Sequence, residues 1–457
     1  MKLGLLDVQN PDKKVENFNI PLGLLYLAGY LRKHVPEVSV FVTDRLDSLL
    51  AYGPDVIGVT AMTPNYKMAL DTAIFLKDRT SVPILLGGAH ITALPHTLAH
   101  PFDIGVFGEG EATLLELVRI YLSEGGFAKE SLTDTQGITY HKNGSVCVNS
   151  ARPLIAPLDE IPPPLWDLWN LGARVKWMST SRGCPYSCNF CFKMLKHYRS
   201  FSPAYIVNQL KEVLTRYPSR SVYFVDDLFA VDRKRLAELG PMMQKEGLTR
   251  NVSYICTVRA DLVTEEMASL MWEAGVRVVH LGLESGSDKI LSYLKNETTT
   301  VEENQRALEI CYDKAFFTFG SFIIGTPGET EQDLDATYEF IKRNWELCRI
   351  RGVGMSPLIV LPGTHVWADA LSRGLVSEDM EWDRLDMDMM FFDPDRYVYL
   401  NPDMKKETFL TYFEKFKDLF WAINKKFGHS VIPEPKAKTT QKVQLPEGHF
   451  PWKGKSS

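Results

Sequence analysis

Three cysteines, Cys184, Cys188 and Cys191, fall in the stretch STSRGCPYSCNFCFK with the spacing Cys-x3-Cys-x2-Cys. Thiolates are soft, strong ligands for iron and zinc. Three of them on one loop can grip three irons of a four-iron cluster and leave the fourth iron open to another molecule. A structural zinc is the competing reading, with His197 near enough in sequence to be a fourth ligand. Zinc ligands usually come as two close pairs, however, and this is one triplet. A ferredoxin-type cluster calls for a fourth cysteine nearby, which the chain lacks. The open cluster is therefore preferred. Cys147, Cys256, Cys311 and Cys348 are scattered singly and read as small buried hydrophobes.

These residues need a scaffold. From Lys176 onward, six apolar strands (VKWMSTS, SVYFVDD, VSYICTVR, VRVVHLGLES, FFTFGSFIIG and GVGMSPLIVL) alternate with amphipathic helices. This alternation predicts a partial parallel (β/α)6 barrel over 176–375, with its site at the carboxyl ends of the strands. The cysteine triplet follows the first strand and falls on that face. So do Asp226 and Asp227 in FVDDLF, Arg259 in TVRAD, Glu284 in LGLESGS and Gly325 in FIIGTPGET. Each alone has a plain structural explanation: the aspartates as helix caps, Glu284 as an ion-pair member, Arg259 as a surface charge. Their common placement makes them candidates.

Residues 1–125 alternate strands and helices in the pattern of a doubly wound, Rossmann-like parallel sheet, in which ligands bind beyond the carboxyl ends of the strands. Three of those ends carry glycine or small residues: Thr60-Ala61-Met62-Thr63, Gly87-Gly88-Ala89-His90 and Gly108-Glu109-Gly110-Glu111. Glycine there lets a ligand approach the backbone. The first strand–helix loop lacks Gly-x-Gly-x-x-Gly, which disfavours a nicotinamide dinucleotide. Two carboxylates in GEGE would repel a phosphate and suit an uncharged ligand edge better. Residues 126–175 read as a connector, with a hairpin turning at Asn143-Gly144. Residues 376–457 read as a helical C-terminal region over the barrel mouth, ending in a loose tail.

Composition narrows the classes. Of 457 residues, 45% are hydrophobic and 24% charged, the balance of a soluble globular protein. The net charge of −6 and the lack of any basic block give no support for a nucleic-acid partner. The N-terminus MKLGLLDVQNPDKK does not read as a secretory signal, and the longest apolar run, Pro21 to Leu31, is too short for a bilayer. A cytoplasmic protein without a membrane partner is expected.

The motif RGCPYSCNFC, with the aromatic Phe190 just before the third cysteine, resembles the signature of the radical S-adenosylmethionine enzymes. The resemblance implies a [4Fe-4S] cluster on Cys184, Cys188 and Cys191. Its open iron would chelate S-adenosyl-L-methionine, and reduction by a flavodoxin or ferredoxin-type partner would yield a 5′-deoxyadenosyl radical. It also implies that Asp226 and Asp227 meet the methionine amino group and Arg259 the methionine carboxylate. Glu284 would meet the ribose or methionine part, and the Gly325 motif would lie along the adenine. PLGLLYLAGYL, ILLGGAHITALP and DIGVFGEGEATLLEL resemble the cobalamin-binding domain that precedes the radical domain in a large class. Cobalamin contacts are thereby implied at Thr60, Gly87, Gly88, His90, Gly108, Glu109 and Gly110. The resemblance covers about residues 1–375.

One departure matters. Many cobalamin domains carry Asp-x-His-x-x-Gly after the first strand, but here that loop, DVQNPDKKVENFN, has no histidine. The lower cobalt ligand should be missing, or be water or another residue. His90, after the fourth strand, stays open as a ligand but reads about equally well as a phosphate-side residue and as a plain turn histidine. The expected activity is methylation of an unactivated carbon or phosphorus centre of a small molecule. Two alternatives stand beside it: a ring cyclase or rearrangement enzyme with the same cofactors, and a cobalamin-binding sensor or carrier with a structural metal. Methylthiolation is disfavoured, because only Cys147 precedes the triplet where three further cysteines would be needed.

Overall fold

Strands buried on both faces show apolar residues at successive positions rather than alternate ones. The first strand, β1 (Lys2–Asp7), is of this kind: Leu3 and Leu5 face one way and Leu6 the other, all buried. In the computed structural model, which describes residues 1–8, 20–169, 175–195, 197–387, 389 and 393–426, β1 is the second strand of a seven-stranded sheet. The order is β2 (Ser39–Thr43), β1, β3 (Val56–Thr60), β4 (Ile84–Gly87), β5 (Ile104–Val106), β6 (Ile138–Lys142) and β7 (Ser145–Val148). The first five are parallel. The hairpin β6–β7 adds to the edge antiparallel, so the sheet extends into the expected connector as far as Val148. Helices Leu22–His34 and Gly110–Glu124 cover the Leu3/Leu5 face, and helix Tyr66–Lys77 covers the other.

The second sheet holds six parallel strands, where the hydrophobic pattern expects them. They are β8 (Val175–Met178), β11 (Ser221–Phe224), β12 (Ser253–Arg259), β13 (Val276–Glu284), β14 (Phe317–Ile324) and β15 (Gly352–Pro357), side by side in chain order. A small antiparallel pair, β9 (Ser181–Arg182) with β10 (Arg199–Ser200), interrupts the series and brackets the cysteine loop. Two of the connecting helices begin with capping boxes, Thr300 with Glu303 and Thr330 with Asp333. Each satisfies amide groups that the first helical turn leaves unpaired.

Of the C-terminal region, the described residues pack along the last strands, with Tyr397 and Phe409 against Gly325 at the end of β14. Helix Lys406–Lys426 runs beside β15, burying Phe409, Phe413, Phe416 and Phe420. Near its end, the Asn424 side chain accepts from the Val353 amide at 3.1 Å and donates to the Val353 carbonyl at 3.0 Å. A neighbouring strand would make the same pair of bonds, so the amide caps the sheet edge. Before that helix, the chain crosses to the N-terminal domain. Trp382 and Leu385 join a core that includes Leu6, Ile57 and Leu86 of the first sheet and Leu358, Val366 and Trp367 of the barrel. This cluster is shared between the two domains, beside a separate core in each. Among the described residues, no helix is long and apolar enough to cross a membrane.

Candidate active site

The cysteine loop leaves β8 at Ser179-Thr180, and a buried bracket fixes its departure. Asp226, just beyond β11, accepts from the Thr180 amide at 2.6 Å, the Ser181 amide at 3.0 Å and the Thr180 hydroxyl. Burial raises the Asp226 carboxyl, and Arg235 and the Thr180 bonds only partly offset this. Arg235 completes the bracket by donating to the Thr180 and Phe229 carbonyls, both at 2.8 Å. Asp226 therefore holds the strand end from which the loop departs. Asp227 instead sits exposed at the mouth, where it accepts from the Gly183 amide.

Beyond Gly183 the loop carries Cys184 and Cys188, half-buried, and Cys191, exposed. The Asn189 side chain and amide donate to the Tyr293 and Leu294 carbonyls at 2.6 and 3.0 Å, pinning the loop to helix Asp288–Lys295. Phe190 packs on the apolar core shared by the two domains. The Cys191 thiol donates to Cys188, and this bond with the Lys295 and Arg259 charges holds the Cys188 thiol below its ordinary range despite its burial, while Cys191 is pushed up. Burial pushes Cys184 up as well. Cationic surroundings favour the thiolate form that iron binds. Among the described residues, no three His, Cys, Asp or Glu side chains converge on one metal-ion position.

Arg259 and Glu284 both lie near Cys188. Arg259 ends β12 and donates to Cys188 Sγ at 3.2 Å. Glu284 ends β13 with a left-handed backbone, φ 57°, where the β13–β14 register shifts. A non-glycine residue held there costs about 1–3 kcal/mol and is typical of functional sites. Its carboxylate pairs with Lys295 Nζ at 2.7 Å, both side chains buried. Gly325 follows β14 at φ 84°, and a Cβ there would stand 3.1 Å from the Phe409 ring. Its amide donates to the buried Glu329 at 2.6 Å.

In the N-terminal domain, Asp7, Thr60 and Gly87 form one row at the carboxyl edge of the sheet. Gly88 follows at φ 105°, and a Cβ there would come within 2.5 Å of the Ala61 carbonyl oxygen, so the close turn requires glycine. The strand order changes direction between β1 and β3, which puts the crevice for a large ligand at this end. Most of the histidine-free loop after β1 lies outside the described residues. His90 is fully buried, stacked on Tyr66 at 3.7 Å and edge-on to Trp382, with Nδ1 3.4 Å from Thr63 Oγ1. Burial lowers it to about 3, so the imidazole is neutral.

Gly108, Glu109 and Gly110 start the turn into helix Gly110–Glu124. Glu109 is committed to the barrel: Arg182 donates to it at 2.7 Å, Arg199 at 2.9 Å and the Ile155 amide at 2.9 Å. Glu111 takes the other arm of Arg182 at 2.6 Å. Burial would push Glu109 up, but Arg199 and Arg182 outweigh it and hold the carboxyl low. Arg182 and Arg199 pair across β9–β10 at the two ends of the cysteine loop. A four-membered ionic clamp therefore ties that loop to the N-terminal domain. The arginines and Lys295 were not legible as site residues, since nothing in a lone charge signals burial. The one available clue was symmetry, an arginine close to each end of the cysteine stretch.

A family model described as the radical SAM superfamily matches residues 178–341, and one described as a B12 binding domain matches 13–118. An uncharacterized methyltransferase of Pyrococcus horikoshii is 31% identical over 412 residues, covering 85% of this chain and 84% of its own. The chain belongs to the cobalamin-binding radical S-adenosylmethionine family. Another member, the anaerobic magnesium-protoporphyrin IX monomethyl ester cyclase of Rubrivivax gelatinosus, is 30% identical over 349 residues, covering 71% of this chain and 62% of that one. The fold agrees with the radical S-adenosylmethionine methyltransferase TsrM of Kitasatospora setae, solved with cobalamin and a [4Fe-4S] cluster, at a TM-score of 0.68 and 18% identity over 81% of this chain and 75% of that one. Membership in this family assigns the cluster, S-adenosyl-L-methionine and cobalamin as the cofactors.

Proposed function

We propose that this protein transfers a methyl group to an unactivated carbon or phosphorus centre of a small molecule. The observation that carries this reading is the 31% identity, over both domains, to a protein named as a methyltransferase. The clamp from Glu109 and Glu111 to the cysteine loop is in keeping with it, because a carrier and a radical source acting on one substrate need a fixed separation. When bound, the cluster would supply the electron that cleaves S-adenosyl-L-methionine, and cobalamin would carry the methyl group. In this reading Cys184, Cys188 and Cys191 hold the iron, and Asp226 holds the strand end that presents them. Asp227 faces the methionine amino group, Glu284 the ribose or methionine part, and the turn at Gly325 the adenine. Thr60, Gly87, Gly88 and Gly108 line the cobalamin crevice. A flavodoxin or ferredoxin-type protein would deliver the electron in the cytoplasm, where thiols stay reduced.

Ring closure without methyl transfer is the second reading, favoured by the 30% identity to the Rubrivivax cyclase. Incubation of the holoenzyme and reductant with a metabolite extract and trideuteromethyl-labelled S-adenosyl-L-methionine separates the two. A new product carrying the intact labelled methyl group is expected. A new product without label would replace methyl transfer by the second reading.

A further inference from the structure

We propose that Arg259 positions and polarises the cluster ligand Cys188, so that the reduction equilibrium of the cluster depends on this arginine. The inference rests on the cluster reading of the triplet and goes beyond the carboxylate role implied for Arg259 by resemblance. Its Nη1 lies 3.2 Å from Cys188 Sγ, within reach of an N–H···S hydrogen bond. The other edges are already occupied. Nε donates to Asp261 Oδ1 at 2.9 Å, and Nη2 to the Thr298 and Thr299 hydroxyls at 2.9 and 2.7 Å. The guanidinium lies over the Tyr186 ring at 3.8 Å, and its side chain is 5% exposed. The cation is therefore fixed before any cofactor arrives, with most of its donors spent on protein groups.

Reduction puts one more negative charge on a cluster and its sulfurs. Hydrogen bonds to the sulfurs and nearby fixed charge are among the levers that set its potential. Asp261 balances the far edge of the guanidinium, whereas the Nη1 bond points at the ligand and strengthens as the sulfur becomes more negative. Arg259 thus favours the reduced cluster. Lys295, committed to Glu284, is the other cation near these thiols.

The test is an EPR-monitored redox titration without S-adenosyl-L-methionine. Wild-type protein, R259K and R259Q are reconstituted and matched in iron and sulfide content. At the wild-type midpoint, R259Q should hold a reduced-to-oxidised ratio about tenfold lower, ~59 mV for one electron. R259K keeps the charge but not the planar fork and should fall between. A midpoint for R259Q equal to wild type would overturn the proposal. So would an unchanged midpoint with weakened S-adenosyl-L-methionine binding, which would make Arg259 a carboxylate contact. If R259Q takes up no iron, R259K decides: a lowered midpoint supports the proposal and an unmoved one overturns it. Wild-type protein that binds no iron overturns the cluster reading as well, and metal analysis alone identifies that outcome.

Discussion

At the scale of single residues, Glu329 shows how burial sets chemistry. Its Oε2 accepts from the Gly325 and Thr326 amides at 2.6 and 3.2 Å, while its buried Oε1 has no hydrogen-bond partner. Burial raises the carboxyl from 4.5 to about 8. The folded state then binds the proton more tightly than the unfolded chain. The stabilisation this provides is complete below pH 4.5 and is lost as pH rises through 8. Thermal melts should show wild-type stability falling between pH 6 and pH 9, by on the order of 1–3 kcal/mol from this group. E329Q should flatten that fall, since the amide oxygen still accepts both bonds without ionising. Parallel pH profiles for the two proteins would show that the carboxyl ionises freely at its site. At this scale, cysteine spacing was legible because ligand geometry restricts it. The partners of Asp226, Arg259 and Glu109 were not, because they come from other strands and helices and depend on packing.

At the scale of elements, the β9–β10 pair carries the consequence of the ionic clamp. Its arginines are 14–15% exposed and the two glutamates 5%. Removing one partner of a largely buried ion pair leaves the other charge uncompensated, at a cost of about 3 kcal/mol. E109Q should therefore lower the thermal midpoint and speed iron loss from the reconstituted protein during gel filtration. E116Q, on the helix that follows Glu109, breaks a pair with Arg152 in which Glu116 is 40% exposed and should leave both measurements near wild type. Equal behaviour of the two variants would mean that the clamp does not support the cluster loop. Strand positions were readable from apolar runs at both sheets, since a parallel strand buried on two faces has little freedom in sequence. The C-terminal helix was readable as a helix, but its place along β15 was not. That place follows from Asn424 pairing with an exposed strand edge, a contact 71 residues away in sequence.

At the scale of the whole molecule, the two domains share one apolar cluster besides their own cores, and the cysteine loop meets the N-terminal domain at three places. Phe190 packs on the shared core, and Arg182 and Arg199 enter the clamp. The order of the domains was readable from the motifs, whereas their mutual fixation comes from Trp382, Leu385 and the buried charges. This assembly is expected to cleave S-adenosyl-L-methionine reductively at a cluster on Cys184, Cys188 and Cys191. The most direct measurement is 5′-deoxyadenosine formed under strict exclusion of oxygen with dithionite or a flavodoxin system, alongside iron and sulfide content. Reconstituted wild-type protein should form it, and C184A/C188A/C191A should hold no cluster and form none. Reductive 5′-deoxyadenosine formation by the triple variant, or its absence from iron-replete wild-type protein, would rule out cleavage at a cluster on these cysteines.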